Sequence, residues 1–393
     1  MLKRIHVSAF KSLVDFELEL EKFNCVIGLN GAGKSTVLQF LSYVSSIFSG
    51  DLQQWLVRRN WESKDVVSHF FPTRKSLDLE IDFEFDNVLY LWTGTFNWSK
   101  GLCTKEKLVK VVSDSEQTEV YRVVNGAYVS QLSEKQKINF KYSGSILSGL
   151  NEDVIPHEAN RFRSYIVNIE SHDLLTPKVM RSGQYNKEEK LGSEGEFLIQ
   201  HIHRLDSHDK DILQIRLSKY FPRVIRIETK ALISGMLSMG ITERYFNDDG
   251  SYNDVVTDAH HINDGMLRLL NILVNQNSKS GFQLFDEIEN GVNPEVTEQL
   301  MDSFVDAPHQ TLVTTHSPMA LNYLNEDIAK SSVVLIYKKN SGHTASIKLF
   351  SVPSALNKLD ILAPGEVMVD LYLADVADEA ENILQANKSS NNA

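Results

Sequence analysis

The stretch CVIGLNGAGKST, Cys25–Thr36, decides the fold. Within it GLNGAGKS satisfies the pattern G-x-x-x-x-G-K-[ST], with Gly28, Gly33, Lys34 and Ser35 in the required places. Glycines let successive backbone N–H groups turn inward around a phosphate, and the start of the following helix adds partial positive charge. Lys34 is placed to reach terminal phosphates and Ser35 to ligate magnesium, while Asn30, Gly31, Ala32 and Thr36 complete the loop. Upstream, KRIHVSAF and VDFELELEKFNCVIGL read as two or three strands ending at Gly28. Downstream, KSTVLQFLSYVSSIF carries apolar residues at helical spacing. The loop therefore sits between a strand and a helix, as its mechanism requires.

Farther out, the segments from SLDLEIDFEFDNVLYLWTGTFNWS through EVYRVVNGAYVSQL alternate with a period near two, and Gly, Asp and Asn break them into an antiparallel meander. In the middle of the chain SEGEFLIQHIHRL and DKDILQIRLSKYF read as helices and RSYIVNIES as a strand. RVIRIETKAL and GMLSMGITERYF are strands, NDGMLRLLNILVNQN a helix, and GFQLFDEIENG and QTLVTTHSP buried strands around the helix PEVTEQLMDSFV. No fixed-period repeat or long heptad run is present, and the polar tail NKSSNNA is expected to fray.

A phosphate-gripping loop needs an acidic residue at the end of a neighbouring strand, and FQLFDEIENG supplies Asp286 followed by Glu287. Asp286 is placed to hold the metal and Glu287 to polarise an attacking water; Glu289 has no assigned role. In LVTTHSP, His316 ends another buried strand, where it can hydrogen-bond a terminal phosphate and report its presence.

Composition bounds what surrounds this chemistry. At 393 residues, 42% hydrophobic and 23% charged, the chain can bury one large core or two ordinary ones. Apolar runs such as SSVVLIY are too short to span a membrane, and the first residues lack the apolar segment of a secretion signal, so a cytosolic protein is expected. Cys25 and Cys103 read as small apolar fillers. The net charge of -12 opposes a broad grip on nucleic acid, leaving only local basic candidates: Arg161, Arg163, Lys178, Arg181, Lys187 and Lys190. A solvated surface is the favoured reading of these.

Taken in order, GLNGAGKST, INDGMLRLL, LFDEIENGVNP and TTHSP resemble the ABC-type ATPase heads of the SMC, RecF and OLD (overcoming-lysogenization-defect) group, most closely OLD-like ATPases without a fused nuclease domain. The resemblance implies an α/β P-loop NTPase of the ABC type, with an antiparallel β lobe and an inserted helical lobe. The expected organisation is a single head over residues 1–393: a P-loop and β lobe at 1–125, an inserted lobe at 126–225, the motif-bearing lobe at 226–345 and an extension at 346–393. The implied cofactors are ATP and Mg2+, with Ser35 and Asp286 on the metal and Glu287, Lys34 and His316 as catalytic residues. A homodimer would sandwich the nucleotides, the signature loop Asn263, Asp264 and Gly265 of one copy completing the other's site. Serine is common in the family where this chain has Asn263, and an Asn-Asp-Gly turn capping an ordinary helix is the alternative reading. Asn293 resembles a contact across that interface, and Arg4 and Lys11 could approach the nucleotide. The linking glutamine of the family has no clear counterpart among Gln39, Gln117 and Gln131, and Gly365–Glu366 has no evident physical role.

By the same resemblance the head acts as a switch on a separately encoded effector, with antiviral defence as the setting. Higher oligomers and DNA as a ligand stay open. The rival readings are a RecF-like repair or recombination clamp and an ATP-gated scaffold without turnover; a transporter subunit fits least.

Overall fold

The structure, a computed structural model, describes residues 1–113, 116–183, 192–233, 235–276 and 281–391. The chain divides into two compact units, residues 1–171, 281–284 and 308–393 in the first and 172–280 and 285–307 in the second.

The first unit begins with β1 (Leu2–Phe10), β2 (Leu13–Glu19) and β3 (Phe23–Ile27), then α1 (Lys34–Ser49) and α2 (Leu52–Arg58). An antiparallel meander follows: β4 (Ser76–Phe85), β5 (Val88–Asn97), β6 (Leu102–Ser113), β7 (Glu116–Val124), β8 (Ala127–Ser130) and β9 (Ser133–Lys137). Next come α3 (His157–Val167) and β10 (Ile169–His172). The second unit holds α4 (Pro177–Met180), α5 (Leu198–Arg204), α6 (Ser207–Tyr220), β11 (Val224–Ala231), β12 (Leu237–Phe246), β13 (Tyr252–Asp258) and α7 (Asp264–Gln276). β14 (Phe282–Phe285), α8 (Pro294–Val305), β15 (Gln310–Thr314), α9 (Pro318–Asn322), α10 (Glu326–Ser332), β16 (Val333–Lys338), β17 (Thr344–Lys348), α11 (Pro353–Leu359), α12 (Pro364–Asp370) and α13 (Leu373–Asn391) complete the chain.

Among the described residues fourteen strands share one sheet, in the order β10-β14-β15-β3-β16-β17-β2-β1-β4-β5-β6-β7-β8-β9. β3 is wholly buried and pairs in parallel with β15 on one side and β16 on the other. Every side chain of a strand covered on both faces must be compatible with burial, which is why FNCVI runs without alternation, whereas β4 in the meander alternates. α1 buries Leu38, Phe40, Leu41, Tyr43, Val44, Ile47 and Phe48, more than one face's worth, because it is a central helix of this core. Aromatic rings lock it in place: Phe10 meets Tyr43 at 5.3 Å, and Phe48 meets Trp92 at 5.0 Å and Phe162 at 5.3 Å.

The segment RSYIV, read above as strand, is the end of α3, and only Ile169–His172 is extended. Ala159, Phe162 and Ile166 fall on one buried helical face, so packing overrides the β-branched run that suggested a strand. Helix α13 continues through Asn391, so most of the tail expected to fray is helical, and residues 392–393 lie outside the described set. Two of the basic candidates are committed to ion pairs, Arg161 with Asp86 at 2.6 Å and Arg181 with Asp264 at 2.5 Å, while Lys187 and Lys190 lie outside the described residues. No helix among the described residues is long and apolar enough to cross a membrane.

In the second unit β11, β12 and β13 form a separate antiparallel sheet, and α7 is buried along Leu267, Leu269, Leu270, Leu273 and Val274. Gln276 at its end donates to Ser303 of α8 at 2.7 Å.

One buried polar network stands out in the first unit. Glu106 of β6, only 2% exposed, accepts from Ser145 Oγ (2.5 Å), the Ile146 N–H (2.7 Å) and Tyr121 Oη (3.1 Å), and Trp92 Nε1 donates to the same tyrosine at 2.9 Å. The network pegs the turn after the meander onto the β lobe. Burial pushes the Glu106 carboxyl up from its usual 4.5 to about 7, and the three hydrogen bonds hold back only part of that rise. Because the folded value lies above the unfolded one, the protonated folded form is favoured at low pH, and this contribution is lost as pH rises through about 7. Glu106→Gln, which keeps the shape and can still bond, should be more stable than the parent above pH 7 by about 3 kcal/mol and equal to it near pH 4.5. Urea unfolding across pH 4.5–8.5 reads this difference, and parallel stability curves for the two proteins would remove Glu106 as their cause.

Candidate phosphate-binding and acidic sites

The glycine loop springs from the end of β3, between strands that arrive from the last third of the chain. Gly28 has φ 152°, and a Cβ there would stand 2.1 Å from the Ile336 carbonyl oxygen of β16, so no side chain is tolerated. Gly33, with φ 115°, is both the left-handed residue that opens α1 and a close neighbour of Thr344, whose Oγ1 a Cβ would approach to 2.6 Å. That buried threonine donates to the Ala32 carbonyl at 2.9 Å, tying the loop to β17. Lys34 is 6% exposed and donates from Nζ to the Gly28 and Leu29 carbonyls at 2.9 and 3.3 Å, which arches the loop over its ammonium. Leu29, Asn30 and Gly31 form the exposed tip.

The start of α1 differs from those of α6, α8 and α10. Asp206 caps α6, Asn293 caps α8 and Asn325 caps α10, each accepting a backbone N–H from the first turn. At α1 a glycine stands in the cap position, no side chain caps the first turn, and no carboxylate lies in it. Its N–H groups and the helix dipole are thus open to an anion, beside the hydroxyls of Ser35 and Thr36. These donors suit a polyphosphate, and the Ser35 hydroxyl suits a hard cation such as Mg2+.

In the same unit Thr314 of β15 lies level with Val26 of β3, and the Thr315 N–H donates to the Val26 carbonyl at 3.1 Å. His316 therefore leaves the sheet at the end from which the glycine loop leaves. The segment after it is fixed by Gly365: its Cβ would meet the Pro318 carbonyl oxygen at 1.9 Å, and its N–H donates to Asn322 Oδ1 at 2.7 Å. Glu366 accepts from the Ala363 N–H at 2.9 Å and caps α12. The Gly-Glu pair thus has a physical role, docking α12 against α9.

Within the second unit Asp286 and Glu287 directly follow β14, both half-buried. Glu287 has φ 50°, a left-handed conformation that L residues with a long side chain rarely adopt and that costs on the order of 1 kcal/mol. The turn that enforces it is bonded twice to Asn290, whose N–H reaches the Glu287 carbonyl at 3.0 Å and whose side-chain amide holds the Glu287 carboxylate. Just before the pair, Phe285 stacks on His172 at 4.9 Å and meets Phe304 at 5.0 Å. Burial lowers the His172 pKa to about 4, so this ring is neutral at pH 7.

The signature loop touches the same turn. A Cβ on Gly265 would lie 1.9 Å from the Gly291 carbonyl oxygen, so glycine lets α7 start against the residues after the acidic pair. Gly265 is buried, and Asn263 and Asp264 are the exposed members. Asn263 Oδ1 accepts from the Met266 N–H at 2.7 Å and so caps the first turn of α7.

The glycine loop and His316 thus belong to one compact unit, and Asp286, Glu287 and the signature to the other. Arg4 bonds Asp82 and Glu17 at 2.8 Å and Glu80 at 3.1 Å, so it serves the sheet surface. Lys11 donates to Gln39 at 2.9 Å and lies 3.9 Å from the centre of the Trp61 ring, which commits both Lys11 and Gln39 to a structural contact. Gln131 donates to the Glu119 carbonyl on the β lobe at 3.0 Å. Thr344 and Asn290 escaped sequence reasoning. Thr344 lies in no motif and its partner is 312 positions away, whereas Asn290 stands within LFDEIENGVNP without a role assigned to it there.

Among curated proteins, an OLD nuclease of Thermus scotoductus is 32% identical over 85 residues, which are 21% of this chain and 15% of that protein's length. Among solved structures, an SMC head bound to the C-terminal winged-helix domain of ScpA aligns over 88% of this chain and 96% of its own, with 13% identity and a TM-score of 0.49. The SMC head domain of Thermotoga maritima aligns over 88% of this chain and 98% of its own, with 14% identity and a TM-score of 0.44. The glycine loop between β3 and α1, the parallel strands around it and the antiparallel meander make the fold that of a P-loop ATPase head of the ABC type. With residues 1–271 matched by the profile described as AAA ATPase domain, more than half of its 393 residues, the chain belongs to that ATPase family.

Proposed function

We propose that this protein is an ATP-driven switch that dimerises around Mg-ATP, hydrolyses it, and thereby controls a separately encoded effector in antiviral defence. The observation that carries the nucleotide reading is the start of α1: a glycine cap, no first-turn carboxylate, and Lys34 bonded beneath the loop. The effector and the setting rest on the resemblance to OLD-like ATPases. The net charge of -12 weighs against the rival clamp, whose grip on DNA would need many cationic contacts.

In this reading the loop amides and Lys34 hold the phosphates, and Ser35 and Asp286 hold Mg2+, which when bound screens the phosphate charge. Glu287 orients the attacking water and takes its proton, its carboxylate held by Asn290. His316 senses the terminal phosphate. Asn263 and Asp264 of a second copy face that phosphate, and the contact between Gly265 and Gly291 couples their position to the turn that holds Glu287.

Lys34→Ala should weaken ATP binding at least tenfold, about 1.4 kcal/mol, read by titration with a fluorescent ATP analogue. Glu287→Gln should keep that affinity, lower turnover about 100-fold and accumulate a dimer with ATP in sizing chromatography. Equal turnover in this variant would strip Glu287 of its role. His316→Ala should slow turnover about tenfold with an unchanged melting temperature; an unchanged rate makes it structural. Gly265→Ala, which must displace α7 from Gly291, should cost activity as well as stability, and full activity would show that the contact is only packing. For the effector, Glu287→Gln isolated from its native host with Mg-ATP should carry a stoichiometric protein partner; DNA in its place would favour the repair clamp.

A further inference from the structure

In the second unit's small sheet the order is β11, β12, β13, and among the described residues no strand lies beyond β13. Its residues YNDVVTD are all exposed except the half-buried Thr257, with Val255 at 48% and Val256 at 64%. Edge strands are ordinarily blunted by lysine, proline or a bulge, because their unpaired N–H and C=O groups template pairing with another chain. At the opposite edge β11 follows that rule. It carries Arg226 and Lys230, its register shifts between Val224 and Arg226, and Ser218 of α6 donates to the Val224 carbonyl at 2.8 Å. β13 has neither lysine nor proline and pairs with β12 in unbroken register. Its two carboxylates, which would otherwise guard the edge, are turned back on their own copy. Arg244 grips Asp254 at 2.8 and 2.9 Å, and Asp258 accepts from Ser238 at 3.2 Å and from the His260 N–H at 3.1 Å.

Two bonds fix which backbone groups face outward. Across the hairpin the Asn247 N–H donates to the Ser251 carbonyl at 2.8 Å, and on the far side of β12 the Arg244 N–H donates to the Arg223 carbonyl at 2.8 Å. In an antiparallel ladder successive residues bond alternately to either side. Asn253, Val255 and Thr257 therefore bond toward β12, and the N–H and C=O groups of Tyr252, Asp254 and Val256 point to the open edge.

We propose that this edge takes a second copy of the chain: two β13 strands pair antiparallel about a two-fold axis through Val255, joining their sheets. The strand's own sequence selects both occupant and register. With Val255 opposite itself, Asn253 faces Thr257, Asp254 faces Val256 and Tyr252 faces Asp258, so every residue of the strand is paired and no two carboxylates are opposed. Moving the axis by one residue either way sets Asp254 against itself or against Asp258. The outward backbone groups of Asp254 then also meet those of Val256, which face outward too. The contact is isologous and closes as a dimer. It needs no nucleotide and stands apart from the ATP-dependent dimer above.

The test is made on the full chain without nucleotide, where that other dimer does not form. Sedimentation velocity of the parent at rising concentration should show monomer giving way to dimer. Val255→Lys, which opposes two ammonium groups at the axis, should weaken association about tenfold or more. Val255→Ile should retain it, and both should bind the fluorescent ATP analogue as the parent does. Val255→Cys should give a disulfide-linked dimer on mild oxidation, because a non-hydrogen-bonded antiparallel pair sets its Cα atoms about 4.5 Å apart, within a disulfide's span. Val256→Cys should not, since its counterpart lies beyond the limit of roughly 7 Å. The native Cys25 and Cys103 are buried and do not compete. A parent that stays monomeric at every concentration overturns the proposal, as does Val256→Cys linking as readily as Val255→Cys. Cross-linking of Val255→Cys to a different protein, with the parent monomeric, assigns the edge to that protein and overturns it too.

Discussion

Everything about the phosphate loop depends on β3 being held between two parallel strands that come from the far end of the chain. β15 and β16 set the height at which β3 ends, and the Ile336 carbonyl presses so close to Gly28 that only glycine can leave the strand there. Thr344 then pulls on Ala32, and Gly33 opens α1 in a left-handed conformation. The loop is a local sequence motif with a long-range cause. Close neighbours on β16 and β17 leave no space for a side chain at Gly28 and little at Gly33.

The charges follow a related economy. The protein carries a net charge of -12, and several basic side chains are spent on carboxylates or aromatic rings: Arg4 on three acids, Arg161 on Asp86, Arg244 on Asp254, and Lys11 on Gln39 and Trp61. At the glycine loop, attraction for phosphate rests on backbone dipoles and Lys34. Such a site is short-ranged, and it discriminates by shape more than by charge. The strained φ of Glu287 is equally local in cause, since the turn that imposes it also fixes its carboxylate to Asn290.

Much of the fold was legible in the residues because its decisive features are local. Strand, glycine loop and helix at Phe23–Ser49 announce themselves through an unbroken apolar run, glycines at fixed spacing and helical periodicity. The meander was readable from its alternation, and the strands and helix from Phe282 to Thr314 from their apolar runs and the proline that opens α8. What resisted reading was set by partners far away. Ile166 and Val167 suggest a strand until the core claims one helical face of α3, and nothing around Thr344 points to Ala32. Gly365 is similar: it needs a neighbour, the Pro318 carbonyl, that no local pattern specifies. For the candidate site, the motifs show which residue types are present, but the sharing of one turn by Gly265, Gly291 and Glu287 comes only from the packed structure.

The position of β16 also bears on how the protein is made. Ribosomes add about 5–20 residues per second, so the interval between synthesis of Ile27 and of its neighbour Leu335 is roughly 15 to 60 seconds. During that time the meander and α1 can assemble, but the carbonyl that confines Gly28 and the hydroxyl that anchors Ala32 do not yet exist. A nascent chain therefore has the sequence of a nucleotide loop without its shape. Capture of nucleotide waits for the last third of the polypeptide, and a truncated product lacks the conformation that would let it compete with the finished protein.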